Sequence, residues 1–293
     1  MNKCIGKLII VLTVFLTTHV YAEGEIRAIV SILPQEYLVE RIGKDKVRVA
    51  TMIPPGGNPH TYEPAPGQLK ELSRADIYFQ VGSGVEFETQ WMKKISSLNE
   101  DMEVVNTSEG IRLIAMAEHV HKGGDGHHHH HGGKDPHVWL SPRNAIIMAT
   151  NIRDALIAFD PENADYYKDN ASGLILDLSD LSEKIEQKLS GFSGRTFLIF
   201  HPAWGYFARD FNLTQVAAEH CGKAPTPQQL AKLIQQAKAM GASVIFASPQ
   251  FSQKSAAAIA SEIKGRVVLI DPLAKDYVNN LLKAAEALSD SYQ

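Results

Sequence analysis

DPENADYYKDNASGLILDLSDLSEKIEQKL, residues Asp160 to Leu189, is the stretch on which the fold turns. Asp160-Pro161-Glu162 offers a cap and a first-turn proline, and Leu174, Leu178, Leu181, Ile185 and Leu189 then recur at three- and four-residue steps. That spacing predicts one helix from Pro161 to about Leu189 with a single apolar stripe. At roughly 1.5 Å per residue it spans about 40 Å, a domain diameter. Gly173 lies inside it and is expected to loosen one turn, and Gly191 and Gly194 close it. Such a helix in mid-chain joins two units.

On both sides of it, short β-branched runs alternate with amphipathic stretches. Before it, strands are expected at Ile26 to Ile32, Val47 to Ile53, Asp76 to Val81 and Met102 to Asn106, with helices at Gln35 to Ile42, Gln68 to Arg74 and Glu88 to Ser97. Ser141-Pro142 caps another helix reaching about Phe159. After the long helix, strands are expected at Arg195 to Phe200, Leu213 to Ala217, Ser243 to Ala247 and Arg266 to Ile270. Thr226-Pro227-Gln228-Gln229 is a capping box for a helix stopping at Gly241, and further helices fall at Ser252 to Lys264 and Asp276 to Leu288. The fold class is therefore α/β: two lobes, each a four-stranded, mainly parallel sheet wrapped by helices, joined by one long helix. The expected division is 1–22, 23–159, a linking helix 160–190 and a second lobe 191–293. The two halves share this rhythm without sharing residue identity.

Residues 1–22 read as a secretory signal: Lys3 and Lys7 precede the apolar run Leu8 to Leu16, and Val20-Tyr21-Ala22 is a cleavage site. Cleavage removes two lysines and no acid, leaving 27 basic against 33 acidic residues. Cys4 precedes the apolar run, so it is not a lipid-anchor cysteine, and the expected destination is the periplasm, as a free monomer. Cys221 is then the lone thiol and forms no internal disulfide. Composition is ordinary for a soluble protein, 44% apolar and 21% charged, and without a strongly basic face nucleic acid is excluded as a partner.

Histidine carries the chemistry. His60 lies in PPGGNPHTYEP, His137 in DPHVWLSP and His201 in FLIFHPAWGYFA. Between the first two, a Gly-rich segment without apolar periodicity, residues 118–134, holds His119, His121, His127, His128, His129, His130 and His131. It reads as a loop that binds further ions weakly. Ligands of open parallel sheets lie beyond the carboxyl ends of the strands. His60, His201 and Asp271 each follow such an end, and His137 precedes a helix start. Three imidazoles and a carboxylate suit tetrahedral zinc. Taken singly, each is more often a hydrogen-bonding loop cap than a ligand, and Asp271-Pro272 a turn; the case rests on their convergence. Trp204 reads as helix packing, and the adjacent His220 and Cys221 as residues facing opposite sides of a strand.

GGNPHTYEP, DPHVWLSP, FHPAWGYFARDF and VVLIDPL, in this order and with a His-rich loop before the second, resemble the metal-binding proteins of bacterial ABC importers, the periplasmic zinc-binding (ZnuA-like) type above all. The resemblance covers essentially the whole mature chain. It implies two four-stranded parallel lobes joined by a rigid helix, with the ion between them and delivery to a cognate ABC permease in the inner membrane. By it, His60, His137 and His201 fall on the family's three histidines and Asp271 on its carboxylate position. Manganese-type relatives look to carry Glu where this chain has His201, and imidazole suits Zn²⁺ better than it suits the harder Mn²⁺. A manganese- or iron-binding member of the same family is the nearest alternative. A zinc hydrolase is the rival from another class, but HExxH is absent and Asp271 would fill the open position. A surface adhesin is disfavoured by the missing anchor cysteine. The reading is a binding protein, not an enzyme.

Overall fold

The computed structural model describes residues 25–116, 133–219, 226–251 and 253–293. The first unit runs β1 (Ile26–Val30), α1 (Leu33–Gly43), β2 (Val47–Thr51), α2 (Pro66–Leu72), β3 (Ile77–Gln80), α3 (Glu86–Leu98) and β4 (Glu103–Asn106). Two helices follow, α4 (Pro142–Phe159) and α5 (Ala164–Leu189). The second unit runs β5 (Thr196–Ile199), α6 (Gly205–Asp210), β6 (Thr214–Ala217), α7 (Pro227–Ala239), β7 (Val244–Ala247), α8 (Gln253–Glu262), β8 (Arg266–Leu269) and α9 (Tyr277–Ser291). The sheets have the orders β2-β1-β3-β4 and β6-β5-β7-β8, with every pair parallel. Two four-stranded parallel sheets with a long helix between them is the class expected from the alternation. In each sheet the chain starts at an inner strand, adds a neighbour on one side and then crosses to the other. Each reversal opens a crevice at the carboxyl ends.

Two helix starts follow their expected caps, whereas Asp160 makes no capping hydrogen bond ahead of Pro161. Ser141 Oγ accepts from the Asn144 amide at 3.0 Å, and Pro142 follows it. The Thr226 amide donates to Gln229 Oε1 at 2.8 Å, and the Gln229 amide donates to Thr226 Oγ1 at 3.3 Å. Strands are shorter than the apolar runs that announced them. Met52 and Ile53 are buried and still bond the Val30 and Ser31 carbonyls, but the chain there is leaving the sheet for the crevice.

The long helix opens with a 3₁₀ turn at Pro161–Asn163 and then continues for 26 residues, about 39 Å at the usual rise. The leucine stripe is buried as expected, and Tyr167 and Ala171 extend it toward the amino end. The stripe packs against α1 and α4 on one side and α9 on the other. One apolar core therefore runs through the molecule, from Val30 and Phe79 through Leu156 and Leu178 to Ile199, Phe246 and Leu281. A smaller one, with Leu198, Leu233, Ile245 and Ile259, lies on the other face of the second sheet, under α7 and α8. Polar ties also cross between the units. Trp139 Nε1 donates to the Pro272 carbonyl at 2.7 Å, and Tyr277 Oη donates to the Trp139 carbonyl at 2.6 Å. Lys275 Nζ reaches Glu36 and Glu40 at 2.6 and 2.9 Å.

Among the described residues, no helix is long and apolar enough to cross a membrane. The expected signal at 1–22, His119, His121, His127 to His131, and the His220-Cys221 pair lie outside the described residues. The stem of the His-rich segment is described: Lys134 and Ala115 form an antiparallel bridge, and the Met116 amide bonds the Gly133 carbonyl at 2.9 Å.

Candidate metal centre

His60 sits on the loop after β2. Asn58 Oδ1 accepts the His60 amide at 2.9 Å, and the Asn58 carbonyl accepts those of Thr61 and Tyr62, which winds residues 58–62 into a turn. Gln68 on α2 pins that turn. Its Oε1 accepts from Tyr62 Oη at 2.8 Å, and its Nε2 donates to the Met52 carbonyl at 2.6 Å. His137 stands just before a 3₁₀ turn at Val138–Leu140, directly after the bridged stem. His201 follows β5, where the Ala203 amide folds back onto its carbonyl at 2.9 Å.

These three loops meet. The His201 ring lies 5.0 Å from that of His60 and 5.3 Å from that of His137, centroid to centroid, edge-on to both. The Nε2 atoms of His201 and His137 are 3.4 Å apart. Two nitrogens held tetrahedrally on one zinc at about 2.0–2.1 Å would be about 3.3–3.4 Å apart, so this spacing fits a shared ion. All three imidazoles line one cavity of about 20 Å³, together with Pro59, Trp139, Gln250, Phe251, Pro272 and Leu273. About 10–15 Å³ holds one water, so the space suits a single stripped ion rather than an organic ligand. Phe251 stacks on His201 at 4.2 Å and covers it.

Behind each ring stands a carboxylate. Asp135 Oδ1 takes both the amide and the ring Nδ1 of His137, at 2.9 and 2.8 Å. Glu219 Oε2 lies 2.9 Å from His201 Nδ1, and Glu86 Oε1 lies 3.1 Å from His60 Nδ1. A carboxylate accepts only, so each Nδ1 carries the hydrogen and each Nε2 presents its lone pair. The chain builds these supports at sheet ends. Glu219 follows β6, its amide bonded to the Phe200 carbonyl at 2.8 Å. Glu86 opens α3, whose start is fixed by buried Glu88, which accepts the Val81 and Gly82 amides at 2.6 and 2.9 Å.

Electrostatics differ among the three imidazoles. Burial pushes His201 down to about 4, against which the Glu219 hydrogen bond works. Half-buried His60 is also opposed by desolvation, but its hydrogen bond and charge interaction with Glu86 outweigh this and raise it above its usual value. Glu86 is correspondingly lowered: burial raises it, but the bond and charge of His60 prevail.

Asp271 is one residue back from the cavity wall formed by Pro272 and Leu273. Its Oδ1 accepts from Gln250 Nε2 at 2.6 Å and from the Leu273 amide at 2.9 Å. The structure thus brings His60, His137 and His201 together and leaves Asp271 on the adjoining loop, tied to Gln250. Trp204 is fully buried against Phe207 and packs, as expected. Sequence reasoning missed Glu86, Asp135, Glu219, Gln250 and Phe251. The carboxyl-end rule that chose the histidines also selects Glu219, and Asp135 stood two residues from His137 in DPH.

Set beside known proteins, residues 29–291 match the family described as periplasmic zinc-uptake complex component A, ZnuA. The high-affinity zinc uptake system protein ZnuA of Bacillus subtilis (strain 168) is 30% identical over 282 residues, covering 91% of this chain and 88% of that protein. A crystal structure of ZnuA superposes with a TM-score of 0.85 at 38% identity, over 92% of this chain and 100% of that one. A ZnuA deletion mutant with zinc bound superposes with a TM-score of 0.83, also at 38% identity, over 92% and 98% of the two chains. With its sheets, its histidine loops and a match over most of its length, the chain belongs to the family of the periplasmic zinc-uptake complex component A.

Proposed function

We propose that this chain captures one Zn²⁺ in the periplasm, between its two units, and delivers it to an ABC-type permease in the inner membrane for high-affinity uptake. It acts as a non-enzymatic monomer. His60, His137 and His201 are the ligands, with Asp271 proposed for the fourth position. The observation that carries this is the convergence of three imidazoles from three loops on one ion-sized cavity, with each Nδ1 committed to a carboxylate. The donor set favours zinc over Mn²⁺, which prefers oxygen. The ZnuA structural neighbour with zinc bound supports the same choice. His119, His121 and His127 to His131 are proposed as weaker sites that raise the local zinc concentration.

The test is a competitive titration of residues 23–293 with Zn²⁺ and Mn²⁺ against a chromophoric chelator. One tight zinc site is expected, lost in His201→Ala and retained when residues 118–134 are deleted. Asp271→Asn weakens zinc if the carboxylate is a ligand and leaves it unchanged if water fills that place. Tight zinc binding that survives loss of both His137 and His201 would remove this reading.

A further inference from the structure

The three ligand histidines are matched one to one by three carboxylates drawn from distant parts of the chain, and each carboxylate's ion-pair partner is its histidine. Two of the three are buried: Asp135 is 1% and Glu219 3% exposed. A buried anion facing a neutral ring is costly to hold unless a positive charge lies close by. For orienting an imidazole alone, a glutamine or a backbone carbonyl would serve and would avoid that cost. Asp135 shows the imbalance most clearly. Its Oδ1 takes both hydrogens from His137, while its Oδ2 is buried with no hydrogen-bond partner. That oxygen lies over Gly205, where a Cβ would come within 2.4 Å of it. The molecule therefore concentrates negative charge immediately behind a cavity sized for one ion.

We propose that Glu86, Asp135 and Glu219 are positioning residues that also select for charge. Each fixes one ring with its Nε2 lone pair inward, and together they make the site favour a divalent over a monovalent cation. This rests on the reading that His60, His137 and His201 hold Zn²⁺, and it deepens that reading. Imidazole by itself binds copper as well as zinc, so three rings alone would not exclude Cu⁺. A fixed negative charge attracts a dication twice as strongly as a monocation at the same distance. The carboxylates thus supply a discrimination that the nitrogen donors lack.

The experiment compares the wild-type chain with Glu86→Gln, Asp135→Asn and Glu219→Gln, titrated separately with Zn²⁺ and, under anaerobic reducing conditions, with Cu⁺. An amide oxygen can still accept the Nδ1–H, so geometry is largely kept while the charge is removed. Zinc affinity is expected to fall about ten- to a hundredfold per substitution. Cu⁺ affinity should fall much less, so the zinc preference narrows. Equal losses for the two ions, or unchanged zinc binding, overturn the proposal. Should Glu219→Gln fail to fold, Glu86→Gln decides, because that side chain is 40% exposed. A wild-type chain that binds no zinc instead overturns the underlying function, a result distinct from either of these.

Discussion

A methyl group at position 205 would meet Asp135 Oδ2 at 2.4 Å, closer than atoms can settle. Gly205→Ala must therefore displace Asp135, and through its Oδ1 the ring of His137. Zinc affinity should fall about tenfold, as for other lost supports of a ligand histidine, in a chelator competition. A Gly205→Ala chain with wild-type affinity would mean that the ring is held by something else. His201 makes a second case. Unfolded, it takes a proton near 6.5; folded, only near 4. Between those values the unfolded chain binds more protons, so His201 makes the fold less stable as pH falls from 6.5 toward 4, by at most about 3 kcal/mol. Raised His60 acts with the opposite sign, adding stability below 6.5 that is lost as pH rises through its folded value. Urea melts in chelator should show this acid loss, and His201→Gln should flatten it. The histidines were legible because a rare residue recurs at loop positions picked out by one topological rule. Glu86 and Glu219 were not, because a glutamate near a helix start or strand end resembles ordinary surface, and its partner lies 26 or 18 residues away.

At the level of elements, the caps were the most readable signals. Ser141-Pro142 and the Thr226 box set helix starts by hydrogen bonds that depend only on local residues. Strand ends were less so. Phe200 and Ile270 are buried one residue past their strands and their amides still bond the Phe246 and Ala247 carbonyls, so the apolar run outlasts the regular ladder by the residue that turns toward the crevice. The linking helix combined both cases: its leucine stripe was plain, but Tyr167 and Ala171, which continue the same three- and four-residue steps, were hidden by being a polar-tipped and a small residue. Gly173 gives a test on this helix. It lies on the exposed side, with nothing within 4 Å of where a Cβ would stand. Gly173→Ala should raise stability by about 0.5–1 kcal/mol in urea denaturation, with zinc binding unchanged. A loss of stability would indicate that the helix needs that glycine to bend.

At the scale of the whole molecule, the proposed ligands come from both units, so an ion at a hundred times its Kd should add about 2.7 kcal/mol to the fold. Calorimetry with zinc and with chelator would measure this as a rise in Tm, absent in His201→Ala. The single apolar interior threading both sheets has a further consequence. The two halves share the larger interior, since α5 gives the same stripe to α1 and to α9, and only the small cluster under α7 and α8 belongs to one half alone. Heating should therefore produce one endothermic peak whose calorimetric and van't Hoff enthalpies agree, with cargo or without it. Two peaks would mean that the halves melt as neighbours instead of as one cooperative body.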